Sequence, residues 1–169
     1  MICSVLTVDS QGLLHPLAGP SLPDVYSAAL DGVATGPRVG SCGTAAFLRT
    51  PVAATDIESD ERWADFKHLA LPLGLRACWS SPILDAHGAP VGTFAFYYRE
   101  RRGPTAVEEE IVGHCVHLGV IAIERDQRVL ERERRAYTDA LTGLANRAAF
   151  EAALSQLPCT VPEAWAIFV

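Results

Sequence analysis

Short apolar runs bounded by turn residues fill the first hundred positions of this chain, and a long helical period follows them. Residues 2–9, rich in Val, Leu and Thr, read as a strand. Asp9-Ser10-Gln11-Gly12 supplies turn chemistry, and residues 13–17 return as a second strand. Pro20-Ser21-Leu22-Pro23 ends it, and Asp24 is placed to start a helix reaching Gly32. Residues 35–44 form a glycine-rich loop, and 52–55 a short strand. Asp60 is a candidate N-cap for a helix carrying Trp63, Phe66, Leu69 and Ala70 at helical spacing. Two long strands, 77–84 and 90–98, are joined by Asp85-Ala86-His87-Gly88, a hairpin signal. On the second of them Val91, Thr93, Ala95 and Tyr97 share one face, and Phe94, Phe96 and Tyr98 the other. Apolar groups on both faces predict a central strand, covered by helix on one side and by a loop or pocket on the other.

After Pro104, Thr105 and Glu108 have the spacing of a capping box and start a helix of about thirty residues. Its first half, 111–123, is apolar enough to pack on the sheet. Its second half, 124–135, is almost wholly charged, with Glu124–Arg128 and Glu131–Arg135 as favourable i,i+4 pairs. Val112, Val116, Gly119, Ile123, Leu130 and Tyr137 recur near heptad spacing. A helix this polar has little else to lean on, so a parallel two-stranded coiled coil is expected, with Val116, Ile123 and Leu130 in its seam.

Composition narrows the function classes. The 169 residues suffice for one well-buried domain plus an appendage, and 49% hydrophobic with 20% charged residues is a globular balance. A net charge of −6 without a basic patch argues against nucleic acid. Apolar runs fall short of the roughly 18 residues of a membrane span, and the start lacks a signal peptide. Five cysteines without CxxC spacing read as reduced thiols of a cytoplasmic protein.

The candidate chemistry centres on Gly40-Ser41-Cys42-Gly43-Thr44-Ala45. Two glycines let backbone approach a ligand closely, and Ser41 or Thr44 can cap a turn beginning at Ala45. Free amides there favour an anionic or carbonyl ligand and would activate the Cys42 thiol. Cys42 is equally readable as a buried filler beneath a structural turn. Of Cys78 and Trp79, one must face the ligand side, because neighbours in a strand alternate. Trp63 and Asp56 flank the segments that would roof the pocket. The expected site lies between the sheet and loop 36–56, lined by Ser41, Cys42, Thr44, Asp56, Trp63 and Trp79, and sized for a metabolite. His114 and His117 flank Cys115 at i,i+3, but no further ligand completes a metal site, and a helix-surface reading is preferred. No cofactor is expected; haem would need His68 as its axial ligand, with nothing else to support it.

Two resemblances organise these readings. Residues 138–150, TDALTGLANRAAF, carry Asp-x-Leu-Thr-Gly-Leu-x-Asn-Arg and resemble the entry motif of GGDEF domains, the diguanylate cyclases that make cyclic di-GMP. The segments PSLPDVY (20–26), GPRVGSCGTAAF (36–47), TDIESDERWADF (55–66), GLRACWSSPI (74–83) and VGTFAFYYRE (91–100) resemble the GAF domains found upstream of them in bacterial signalling proteins. The first resemblance implies a structural joint at Asp139, Leu141, Thr142, Gly143, Leu144, Asn146 and Arg147, with Asn146 capping a helix 147–157 that buries Phe150, Leu154 and Leu157. The second implies an α+β fold: an antiparallel sheet of five to six strands, helices on one face, a small-molecule pocket, then a long signalling helix. GAF domains of this kind usually begin with a helix, and here the chain opens on a strand. Together they divide the chain into a GAF core (1–104), a helix (105–137) and the start of a GGDEF domain (138–169). The catalytic GGDEF loop and metal carboxylates would lie beyond Val169, so GTP and Mg²⁺ chemistry is not expected of this chain. The implied function is a dimeric sensor of an unidentified small molecule. The alternative is an enzyme: free methionine sulfoxide reductases are GAF proteins with a stretch similar to 40–45, and Cys78 is the candidate partner of Cys42.

Overall fold

The computed structural model describes residues 2–139 and 141–156, with the side chains of residues 127, 130, 133 and 156 outside that description. The chain divides into two compact units, one ending at Glu124 and the other beginning at Arg125.

In the first unit, local turn chemistry sets the hairpins. The Asp9 carboxylate accepts from the amides of Gln11 and Leu13, both at 2.8 Å, and folds β1 (Ile2–Val8) onto β2 (Leu13–Ala18). Asp85 does the same for the amides of His87 and Ala89, joining β5 (Ala77–Leu84) to β6 (Pro90–Tyr98). With β3 (Val33–Ala34) and β4 (Val52–Ala54), these strands form a six-stranded antiparallel sheet in the order β3-β2-β1-β6-β5-β4. The central β6 is buried on both faces, as its alternation predicts. Ala95 and Tyr97 point into one core with Leu6, Leu14, Tyr26, Cys42, Trp63 and Cys78. Phe96 and Tyr98 point into the other with Trp79 and Val112.

The first core lies under α1 (Asp24–Leu30), α2 (Gly40–Leu48) and the segment after Asp60. That segment keeps the expected inward residues but is not one helix. It breaks into a 3₁₀ turn at Glu61–Trp63, α3 (Lys67–Ala70) and a second 3₁₀ turn at Leu71–Leu73. Amides bond three residues back at Trp63, Ala64, Phe66 and Leu69, so the helix never propagates. The loop expected over 35–44 also differs, since its second half is the start of α2 and helices therefore cover both faces of the sheet.

The second core lies under α4 (Ala106–Tyr137). Its start is the predicted capping box. The Glu108 amide donates to Thr105 Oγ1 at 3.3 Å, and the Thr105 amide donates to Glu108 Oε2 at 2.8 Å. Glu108 also holds Arg102, whose guanidinium stacks 3.8 Å from the Tyr98 ring centroid. Hydrogen bonding to Arg102 keeps the Glu108 carboxyl down at about 2.

Two of the residues expected in the coiled-coil seam make contacts within this unit. Ile123 is 5% exposed and sits on Gly92, where an added Cβ would fall 3.1 Å from Ile123 Cδ1 and 2.5 Å from the Leu6 carbonyl oxygen. Val116 packs against the second core. Both residues thus face this chain's own sheet, Val116 half-buried and Ile123 buried. The Leu130 side chain lies outside the described residues. The apolar residues that α4 turns outward in this unit are Val107, Ile111, Leu118 and Ile121, each at least 45% exposed.

In the second unit the Asp139 carboxylate closes a turn, accepting from the amides of Leu141 and Thr142 and from Thr142 Oγ1 at 3.1, 2.9 and 2.8 Å. Thr138 bridges Ala145. Asn146 donates to the Ala136 carbonyl at 2.8 Å and caps α5 (Arg147–Gln156) by accepting from Ala149 at 3.1 Å. Phe150, expected to be buried, is 46% exposed. Leu157 and Cys159 lie outside the described residues. Among the described residues no helix is long and apolar enough to cross a membrane.

Candidate functional site

The site is built around the first turn of α2. Gly40 opens it with φ +54°, and its bare Cα faces the Trp63 indole, whose carbons would lie 3.7 Å from a Cβ there. One turn on, a Cβ at Gly43 would come within 2.5 Å of Val39 Cγ1. The two glycines thus admit side chains of this chain itself, rather than the ligand expected of them. Thr44 Oγ1 accepts from the Val39 amide at 3.2 Å, inside the helix and away from any cap of a turn at Ala45. Ser41 Oγ accepts from Trp63 Nε1 at 3.1 Å and donates to the Cys78 carbonyl at 3.2 Å, so roof, helix and sheet are tied through one buried hydroxyl.

Beneath the roof lies a cavity lined by Leu6, Leu14, Tyr26, Leu30, Val39, Gly40, Ser41, Cys42, Gly43, Trp63, Phe66 and Tyr97. Its free space is about 20 Å³, room for about one water molecule. That is far smaller than the metabolite-sized pocket expected here, and Trp63 and Phe66 line it from the roof side. Ser41, Cys42 and Trp63 line it as expected, and Thr44 is buried beside it. Asp56 and Trp79 do not line it. Asp56 belongs to a surface turn, where it accepts from Ser59 Oγ at 3.1 Å and pairs with Arg101. Trp79 points to the other sheet face, its ring centroid 6.2 Å from that of Phe96. Parity along β5 therefore gives the cavity side to Cys78.

The floor is a cluster of thiols and hydroxyls. Cys42 Sγ lies 4.0 Å from Tyr97 Oη, and Tyr26 Oη donates to Tyr97 Oη at 3.5 Å. The Cys42 and Cys78 thiols interact: Cys78 hydrogen bonding pulls Cys42 down to about 7 against the effect of burial, while burial pushes Cys78 up. Ser80 Oγ and Thr93 Oγ1 lie on the same sheet face as Cys78 and Tyr97 and are buried without a hydrogen-bond partner. His68, His114 and His117 are exposed, and among the described residues no three His, Cys, Asp or Glu side chains converge on a metal position.

Tyr26, Phe66 and Tyr97 escaped the sequence reading of the site, although the alternation along β6 had already placed Tyr97 on one face with Thr93 and Ala95. A second cluster also escaped it. His15 Nδ1 lies 2.7 Å from Asp31 Oδ1, and His15 Nε2 lies 3.3 Å from Asp9 Oδ2, clasping the β1–β2 turn to the end of α1. Hydrogen bonds to Asp31 and then Asp9 raise the His15 pKa.

Comparison with known proteins agrees with this architecture. The GAF domain family matches residues 1–153. The methyl sulfide methyltransferase-associated sensor of Methanosarcina acetivorans is 35% identical over 128 residues, covering 75% of this chain but 13% of that protein's length. A domain of a putative two-component sensor histidine kinase from Sinorhizobium meliloti superposes with a TM-score of 0.62 at 20% identity, over 79% of this chain and 85% of that one. The type II free methionine-R-sulfoxide reductase of Thermoplasma acidophilum superposes with a TM-score of 0.55 at 13% identity, over 73% and 79%. At these identities the two superpositions establish the fold alone, whereas the family match over nearly the whole chain establishes membership: this chain belongs to the GAF domain family.

Proposed function

We propose that this chain is the sensory part of a cytoplasmic signalling protein, that it binds a small molecule at the Cys42–Trp63–Tyr97 cavity, and that α4 carries the event to a GGDEF output domain making cyclic di-GMP. The observation that carries the reading is the back-to-back arrangement on β5 and β6. Tyr97 lines the cavity with Cys78 buried behind it, and their neighbours Trp79, Phe96 and Tyr98 seat α4. A roof of short helical pieces can open at low cost, and any shift of the floor strands reaches α4 through one layer of backbone. A ligand that prefers the open roof then biases the position of α4.

The output assignment rests on the Asp-x-Leu-Thr-Gly-Leu-x-Asn-Arg turn and on its exposed Leu141, Leu144 and Phe150, which suit docking on a following domain. The similar archaeal sensor supports the sensory role, not the cyclase. The chain itself is a regulator rather than a catalyst in this reading. Homodimerisation is assigned to the outward stripe Val107, Ile111, Leu118 and Ile121, whose 4-7-3 spacing fits a two-fold helix pair.

Native mass spectrometry of protein purified from a bacterial lysate tests the reading. A dimer carrying a small adduct that is lost on Trp63→Ala supports it. A bare monomer at high micromolar concentration counts against it. The thiol pair leaves the reductase reading a specific foothold, and turnover of free methionine sulfoxide with a thiol reductant would select that one instead.

A further inference from the structure

We propose that Cys42 and Cys78 are a redox site, at which a peroxide-class oxidant entering the cavity converts the two thiols to a disulfide between α2 and β5. Four observations lead there. Cys42 and Cys78 share one buried cluster across the helix–sheet interface, and Cys78 stands opposite Tyr97 in the β5–β6 register, whose Oη lies 4.0 Å from Cys42 Sγ. They differ in access: Cys42 lines the cavity, while Cys78 is 1% exposed behind it. The free space of about 20 Å³ admits no metabolite beside the Cys42 sulfur, so only a very small oxidant reaches it without displacing the roof. Finally, the hydroxyls of Ser80 and Thr93, buried on the sheet face that carries Cys78 and Tyr97, have no hydrogen-bond partner. Buried polar groups are ordinarily paired, and unpaired ones call for an explanation. A thiolate sulfur, or the oxygen of a sulfenic acid on Cys42, supplies the missing acceptor.

The chemistry balances with the peroxide as the sole co-reactant. The Cys42 sulfur attacks one peroxide oxygen and the O–O bond breaks. The departing oxygen leaves as water, taking the thiol proton, and Cys42 is left as a sulfenic acid. The Tyr97 hydroxyl, 4.0 Å from the sulfur, is placed to steady the departing oxygen. The Cys78 sulfur then attacks the Cys42 sulfur, the S–O bond breaks, and the hydroxyl leaves with the Cys78 proton as a second water. Two thiols lose two electrons and one peroxide gains them. The disulfide would also bear on Ser41, which already links Trp63 to the Cys78 carbonyl. Its use as a signal rests on the sensory reading above; its formation does not.

The experiment treats the reduced full chain with one equivalent of hydrogen peroxide and reads intact mass and peptide maps. The expected result is a loss of about 2 Da, reversed by dithiothreitol, with the link mapped to 42–78. The exposed Cys3 and half-buried Cys115 serve as internal controls, and a Cys3→Ser/Cys115→Ser variant keeps the reaction. In Cys78→Ser the product stops at a dimedone-trappable sulfenic acid on Cys42. Because the wild-type map needs no variant, misfolding of Cys78→Ser does not weaken the test. Cys42 that stays reduced while Cys3 and Cys115 oxidise overturns the proposal, and so does oxidised Cys42 unlinked to Cys78. A 42–78 disulfide that leaves exchange along α4 unchanged upholds the redox site and counts against the sensory reading. An inert Cys42 in a protein that binds a metabolite does the reverse.

Discussion

Replacing Ile123 and Ile121, two positions apart on α4, separates the inward from the outward face of that helix. Ile123 is 5% exposed and rests on Gly92, where the glycine leaves no side chain to fill a gap. Ile123→Ala should cost about 2–5 kcal/mol, the range for truncating a buried Ile. In a chain of this length each kcal/mol lowers Tm by roughly 2–4 °C, so a cost near 3 kcal/mol predicts a fall of roughly 6–12 °C. Ile121 is 53% exposed, and Ile121→Ala should shift the stability of the monomer by no more than about 0.5 kcal/mol. Ile121→Asp should instead dissociate a dimer without unfolding it. Urea unfolding followed by the fluorescence of the buried Trp63 and Trp79 gives the first quantity, and sedimentation gives the second. If Ile123→Ala leaves the urea midpoint unchanged and abolishes a dimer, the packing described for α4 is wrong and the original seam through Val116 and Ile123 is right.

Three further substitutions probe the site and the β1–β2 turn. Trp63→Phe removes the hydrogen bond to Ser41 and should cost about 1 kcal/mol, while iodoacetamide reacts faster with Cys42 as the roof loosens; an unchanged alkylation rate would mean that Trp63 does not gate the cavity. Gly43→Ala drives a methyl to 2.5 Å from Val39 Cγ1 and should cost about 1–3 kcal/mol by overpacking, read as a lower urea midpoint. The His15 clasp gives a pH dependence whose sign is fixed. The folded-state pKa of His15 is raised by Asp31 and Asp9, so its contribution is fully present below the ordinary His value of about 6.5 and fades as pH rises through the raised value. Asp9, held down by the Leu13 amide first, stays ionised throughout that window. His15→Gln should flatten the slope of stability against pH above 6, and an unaltered slope removes the clasp from the account.

The sheet was legible in the chain because its determinants are local. Asp9 and Asp85 each close a turn with their own neighbours, and alternation along β6 sorts Ala95 and Tyr97 from Phe96 and Tyr98. What escaped was set by contacts distant in sequence. Gly40 and Gly43 argue against helix by propensity, yet Trp63 and Val39 pack where a Cβ would sit, and α2 forms there. Alternation placed Cys78 and Trp79 on opposite faces without saying which face bore the cavity, and Trp79 was assigned to the wrong one. Heptad spacing on α4 does not distinguish a stripe facing its own sheet, where Val116 and Ile123 pack, from one facing a partner. His15 and Asp31 lie sixteen residues apart and meet only after α1 turns back on β2.

The central claim is that an event in the cavity reaches α4. In a Cys3→Ser/Cys115→Ser/Cys159→Ser background, methyl methanethiosulfonate places a methylthio group on Cys42, and hydrogen exchange is compared before and after, with Cys42→Ser as the control. The account predicts faster exchange in the roof, residues 61–73, together with altered exchange in α4 over 106–124, and neither change in the control. A modified Cys42 whose effect stops at the roof, with α4 amides exchanging as before, would contradict it.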